Sequence, residues 1–173
     1  MADLTRTRTR EQEATPGLKY DAVFGRRADF IEQGMNGQIV VRETDREWEQ
    51  NRQALIKFYI LEDLFPETAL HDWHVFVHDI KRESGKHRHQ GGLVLFIIEG
   101  RGATEVNDEI IEWEKGDLVL LPMDPNGCEH KHYNRSGEPA KWLAFIYKPY
   151  WDHVCSEFVQ LEISKDFVQR SGG

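Results

Sequence analysis

From Trp73 onward the chain breaks into short β-prone runs, WHVFVHDI, LVLFIIEG, ATEV, EIIEW, DLVLLP and WLAFIY. Between them lie the turn signals Glu83-Ser84-Gly85, Gly100-Arg101-Gly102, Asn107-Asp108, Lys115-Gly116 and Ser136-Gly137. Short strands punctuated in this way predict an antiparallel sandwich or barrel. No internal repeat is visible, so one barrel is expected rather than two. A chain of 173 residues has room for that barrel plus terminal extensions, but little room for a second domain.

The sequence divides accordingly. Residues 1–18 are polar and charged, with Pro16-Gly17 as a break, and read as a flexible arm. Residues 19–68 form an N-terminal extension with one amphipathic helix. It starts near Thr44, where Thr44-Asp45-Arg46-Glu47 has the capping-box pattern, and carries Trp48, Leu55, Phe58, Tyr59 and Leu61 at roughly helical spacing up to Pro66. The barrel occupies residues 69–150. Residues 151–173 form a C-terminal extension, which either packs on the barrel or pairs with a neighbouring subunit.

Charge narrows the partners. A net charge of -8 argues against a polyanion-binding surface, and Arg6, Arg8 and Arg10 are too few to reverse it. Nucleic acid is therefore not an expected partner. No apolar run approaches the roughly 20 residues that span a bilayer, and MADLTRTRTR lacks the apolar segment of a secretory signal, so a soluble, cytoplasmic protein is expected without a membrane partner. Cys128 and Cys155 have no close metal-ligand spacing and fit a reducing compartment; a pairing between them stays open.

The chemistry concentrates in two histidine clusters. In GKHRHQGGL, His87 and His89 stand one residue apart, so on a strand both imidazoles face one side and a metal can sit between them. A second pair, His130 and His132, follows the turn Pro125-Asn126-Gly127 at the end of another strand. Clusters of this kind can converge inside a barrel.

Taken together, these segments resemble the cupin superfamily, an all-β fold whose strands close into a jelly-roll barrel, here with an N-terminal helix and terminal extensions. The first cupin motif, G-x5-HxH-x3/4-E-x6-G, appears as His87-Arg88-His89, three residues, Leu93, six residues and Gly100, with Gly85 closer to His87 than the pattern asks. The second, G-x5-PxG-x2-H-x3-N, appears as Gly116, Pro125-Asn126-Gly127, His130 and Asn134. Three extra residues precede that PxG, unless Pro122 holds the proline position. The resemblance covers about Trp73 to Pro149 and implies a metal held by His87, His89 and His130. Leu93 stands where many cupins carry a ligating glutamate. Three neutral imidazoles leave the ion's charge uncompensated and coordination positions open, which favours an anionic chelating substrate and then dioxygen. The pattern is similar to gentisate 1,2-dioxygenases and other three-histidine cupin dioxygenases, although gentisate dioxygenases have two cupin domains. The resemblance thus implies Fe(II), with Mn, Ni or Zn as alternatives, and cleavage of a C–C bond in a hydroxylated aromatic acid or 1,3-dicarbonyl compound. The alternatives are a non-catalytic ligand-binding cupin and a Zn- or Mn-dependent isomerase or lyase. It also implies a homodimer or higher homo-oligomer.

Neighbouring residues carry further expectations. His132 shares the face of His130 and is the candidate hydrogen-bonding or acid/base group. Leu95 and Ile97 share parity with Leu93 and are expected to line an apolar pocket floor suited to an aromatic substrate. Arg88 alternates away from the metal face. His74 and His78 are expected on an outer or interface face, Cys128 as an inert thiol, and Trp142, Phe145 and Tyr147 in the core.

Overall fold

A computed structural model describes residues 17–62, 64–70 and 72–167; residues 1–16, most of the expected arm, lie outside the described residues. The described residues form two compact units, 17–40 with 66–70, and 41–62 with 64–65 and 72–167. In the first, α1 (Lys19–Asn36) ends where the Gly37 amide donates to the Gln33 carbonyl at 2.8 Å. The Gln33 side chain in turn donates to the Thr68 carbonyl at 2.8 Å, and Gln38 and Thr68 form a parallel bridge. No helix among the described residues is long and apolar enough to cross a membrane.

The second unit contains the strands β1 (Glu49–Gln50), β2 (Leu55–Ile60), β3 (Trp73–Asp79), β4 (Lys86–His89), β5 (Leu93–Glu99), β6 (Arg101–Val106), β7 (Glu109–Glu114), β8 (Leu118–Leu121), β9 (Cys128–Asn134), β10 (Lys141–Tyr147) and β11 (Val159–Glu162), with α2 (Lys148–His153) between the last two. A six-stranded sheet runs in the order β1-β2-β3-β10-β5-β8 and a five-stranded sheet in the order β11-β4-β9-β6-β7. Alternation sets the inner face: on β5 Leu93, Leu95 and Ile97 are buried while Val94 and Phe96 are exposed. With Val119, Leu121, Trp113, Ala144 and Ile146 they form one core cluster, and each fully buried aliphatic stabilises the fold by about 1.5–3 kcal/mol. At the end of the first motif, Gly100 takes φ 75° and a Cβ there would fall 2.1 Å from the Pro139 carbonyl oxygen, so the crossing from β5 to β6 needs glycine. The Asn107-Asp108 turn joins β6 to β7 with φ 46° and 70°, the double positive φ of a two-residue hairpin loop.

The helix expected from Thr44 is not there. A single 3₁₀ turn spans Glu43–Asp45, closed by the Asp45 carboxylate accepting from the Arg42 amide at 2.8 Å. Asn51 then turns the chain, its Oδ1 accepting from the Gln53 and Ala54 amides, and residues 55–60 run as β2. Ile56 and Phe58 alternate toward the inside of the barrel, whereas Lys57 lies on the other face, its ammonium on Glu43 and over the Trp48 ring. The apolar residues fit either period, and pairing with β3 selected the strand. The tail, whose placement the sequence left open, stays on its own barrel: β11 pairs antiparallel with β4, Gln160 opposite His87.

Candidate metal centre

The two histidine clusters meet because β4 and β9 are antiparallel neighbours with His87 directly opposite His130 and His89 opposite Cys128. One nitrogen from each of His87, His89 and His130 lies within 4.8 Å of the others. The His87 and His130 rings are 4.0 Å apart between centroids and those of His89 and His130 4.7 Å. A metal–imidazole bond of about 2.1 Å places ligand nitrogens roughly 3 to 4 Å apart, so the cluster is within a small side-chain adjustment of holding an ion.

Hydrogen bonds orient two of the rings. His89 Nδ1–H donates to the Gly91 carbonyl at 2.7 Å and His130 Nδ1–H to the Cys128 carbonyl at 3.1 Å, leaving each Nε2 with its lone pair. His130 Nε2 and His87 Nδ1 are buried without a hydrogen-bond partner. Burial is the main cause that pushes the rings below the ordinary histidine range, His130 to about 3 and His89 to about 4, with the carbonyl bonds opposing it; His87 is lowered well below that range by burial first and then by its histidine neighbours. All three are neutral at pH 7, the form that ligates. Unpartnered buried nitrogens on converging neutral imidazoles are the donor set of a transition-metal site.

The cluster opens on a cavity of about 650 Å³, within the usual range for small-molecule sites. His132 lines it with its ring 5.7 Å from that of His130, and Thr104 Oγ1 lies 2.9 Å from His132 Nδ1. Leu93 also lines the cavity, whereas Leu95 and Ile97, expected beside it, are sealed in the core and do not reach the wall. Those two side chains fill the core cluster instead. His74 and His78, expected on an outer face, point inward and line the cavity with Phe76 between them. Apolar residues on both faces of β3 concealed the choice: Trp73, Val75 and the buried Val77 alternate onto the face away from the cavity. Trp142 belongs to the core cluster and to the cavity wall at once. Phe145 is half-buried, and Tyr147 is exposed against Trp73 at 5.1 Å. Arg88 points away, 3.8 Å from Glu129, its aliphatic stem close over Gly127. Cys128 is fully buried at the start of β9, its thiol pushed up to about 11 by burial and then by Asp124, which keeps it unreactive.

The tail supplies wall residues that the sequence did not single out. Trp151 lies 4.6 Å from the His89 ring and Phe158 stacks 4.8 Å from His87. Gly91, after the first histidine pair, makes room for Trp151: a Cβ there would fall 2.8 Å from the Trp151 ring, and the Gly91 amide donates to Ser156 Oγ at 2.9 Å. The pair of aromatics in the tail was the available signal.

Comparison with known proteins agrees with this architecture. Residues 75–146 match the model of the cupin domain. A gentisate 1,2-dioxygenase of a Haloferax species is 36% identical over 59 residues, 34% of this chain, and one from a Streptomyces species is 38% identical over 58 residues, 33% of this chain. The match covers only 15% of the length of each enzyme. Among solved structures, a cupin-like protein from Thermotoga maritima superposes with a TM-score of 0.51 at 16% identity, covering 75% of this chain and 89% of that one. The segment from Val75 to Ile146, with its motif histidines and its jelly-roll sheets, belongs to the cupin superfamily.

Proposed function

We propose that this cupin domain is a divalent-metal dioxygenase that takes Fe(II), the same nitrogens also accepting Mn, Ni or Zn, and cleaves a C–C bond in a hydroxylated aromatic acid or a 1,3-dicarbonyl compound. The observation that carries this reading is the convergence of three neutral histidines, two with unpartnered buried nitrogens, on a cavity whose wall includes Phe58, Phe76, Trp142, Trp151 and Phe158. The local similarity to gentisate 1,2-dioxygenases supports the choice of chemistry.

His87, His89 and His130 would hold the ion, which when bound supplies substrate chelation through two oxygens and activation of dioxygen. Leu93 adds no carboxylate, so coordination positions stay open and the positive charge stays available to an anionic substrate. Trp151 and Phe158 cover His89 and His87 and exclude water from that side. His132 offers a hydrogen bond to a substrate oxygen beside His130.

Oxygen uptake by the iron-loaded protein, assayed with catechols, gentisate-like acids and β-diketones, tests the proposal. Uptake with one class that His87→Ala abolishes is the expected result. Tight anaerobic binding without uptake would favour a ligand-binding cupin, and turnover without oxygen a Zn- or Mn-dependent isomerase or lyase.

A further inference from the structure

Across the cavity from the metal histidines, on the six-stranded sheet, His78 of β3 and Trp142 of β10 form a directly opposed cross-strand pair with ring centroids 4.5 Å apart. Both line the cavity and are only 2% and 3% exposed, yet His78 Nε2 and Trp142 Nε1 have no hydrogen-bond partner. An indole N–H can only donate, and His78 Nε2 donates when it carries the ring's single proton. Buried polar groups in folded proteins are otherwise almost always paired, so each unpaired one asks what occupies it.

His132 stands beside them, 4.8 Å from Trp142 and 5.9 Å from His78 between ring centroids. Its tautomer follows from a relay. The Trp113 indole donates to Thr104 Oγ1 at 2.9 Å, and among the described residues the only acceptor that the Thr104 hydroxyl meets is His132 Nδ1 at 2.9 Å. The hydroxyl proton goes to Nδ1, so the ring's own proton sits on Nε2. The Trp142 and His132 N–H groups thus border one stretch of wall as donors, joined by His78 Nε2 in its Nε2–H tautomer, and the lining residues of β3, β9 and β10 include no charged side chain.

We propose that this wall is a subsite for a neutral acceptor oxygen of the substrate, of a carbonyl, nitro or ether group, on the side of the molecule remote from its metal-chelating oxygens. A second carboxylate is disfavoured there, because β3, β9 and β10 offer no cation beside this wall to offset the hydration a buried anion loses. The inference deepens the proposed function and rests on it for the chelating end of the substrate.

Anaerobic titration of cobalt(II)-loaded protein with catechol, 3-nitrocatechol and 4-nitrocatechol tests the subsite, with metal content and circular dichroism measured on the same samples. Trp142→Phe and His78→Leu should each weaken the tighter nitrocatechol about five- to tenfold, the loss of one neutral hydrogen bond, and change catechol less than about twofold. The acidity of the nitrocatechols is common to all proteins compared and cancels. Equal losses for all ligands, no loss for any, or no binding with metal retained would overturn the subsite. If Trp142→Phe does not fold, His78→Leu carries the same readout. If no metal is retained, the proposed function falls and the subsite is read in metal-free wild-type protein, with acetophenone against isopropylbenzene. A preference for acetophenone supports it and equal binding overturns it.

Discussion

The two inner walls of the barrel bury polar rings equally well but hold them differently. On β4 and β9, His89 and His130 are tied through Nδ1 to carbonyls two residues away, of Gly91 and Cys128. Their orientation is set by the chain itself. On β3 and β10, His74, His78 and Trp142 have no such tether to a carbonyl and rest on ring packing, His74 against Phe58 at 5.8 Å and His78 against Trp142 at 4.5 Å. Where the backbone supplies the second hydrogen bond, a ring is fixed before any ligand arrives. Where it does not, the ring's polar atom gains its partner from what enters the cavity.

Substitution on the two walls gives the largest contrast. His87→Ala, His89→Ala and His130→Ala should each cut metal content from about one ion per chain by tenfold or more, since even residues that only support a ligand change affinity 10–100-fold. His78→Leu should leave it within about twofold. Elemental analysis after gel filtration measures this, and full occupancy in His130→Ala would pass the ligand role to His132. Leu93→Glu comes next. A carboxylate there would keep or tighten the metal but remove one positive charge and crowd an open position. It should weaken an anionic substrate by about 1 to 3 kcal/mol, the scale of a charge-assisted contact, and reduce oxygen-dependent turnover about tenfold or more. Unchanged turnover would sink the three-histidine mechanism.

The same contrast explains what the sequence made legible. His87, His89 and His130 were readable because period 2 and a glycine-bearing turn are local signals, and so was the alternation of β5. His74 and His78 were not, because β3 is apolar on both faces and only its place between β2 and β10 tells which side is inside. Leu95 and Ile97 have the right parity, but parity gives the face and not the depth at which the cavity ends. Residues 44–61 carried a helical cap and β-prone residues together. Pairing with β3 settled that conflict, and α1 formed upstream instead. Trp151 and Phe158 come from a segment whose docking depends on β11 pairing with β4, a contact separated by more than 70 residues along the chain.

Acid should separate the walls from the rest of the fold. The His78 ring is held down to about 3 by burial, against an unfolded value near 6.5. Below pH 6.5 the unfolded chain takes up a proton that the folded chain refuses, so stability falls as pH drops from 6.5 toward 3 and is fully present above that window. His78 alone contributes a slope of about 1.4 kcal/mol per pH unit. Urea melts of metal-free protein at pH 7, 6 and 5 should show it, and His78→Leu should flatten the curve by about that amount. An unchanged slope would mean that His78 takes up its proton as readily in the folded chain as in the unfolded one.

The smallest effect expected is at Gly91, where the tethered wall depends on the tail. Gly91 does not lie in the left-handed region that favours glycine, but an alanine Cβ there would fall 2.8 Å from Trp151 and 3.3 Å from Ser156 Oγ. Trp151 must then move off the His89 ring, and the Ser156 contact to the Gly91 amide weakens with it. Overpacking of this kind costs about 1 to 3 kcal/mol. Because the Gly91 carbonyl also fixes His89, metal affinity should fall a few-fold, about the lower end of the range for a ligand's supporting partner. Gly25→Ala is the matched control: it lies within α1, its added Cβ meets nothing within 4 Å, and alanine in a helix is favoured over glycine by about 1 kcal/mol. Gly91→Ala should therefore lower both stability and metal affinity while Gly25→Ala raises stability and leaves affinity alone. Equal metal affinity in the two variants would show that the carbonyl tether holds His89 without help from the tail, and the tail would then be only a cover.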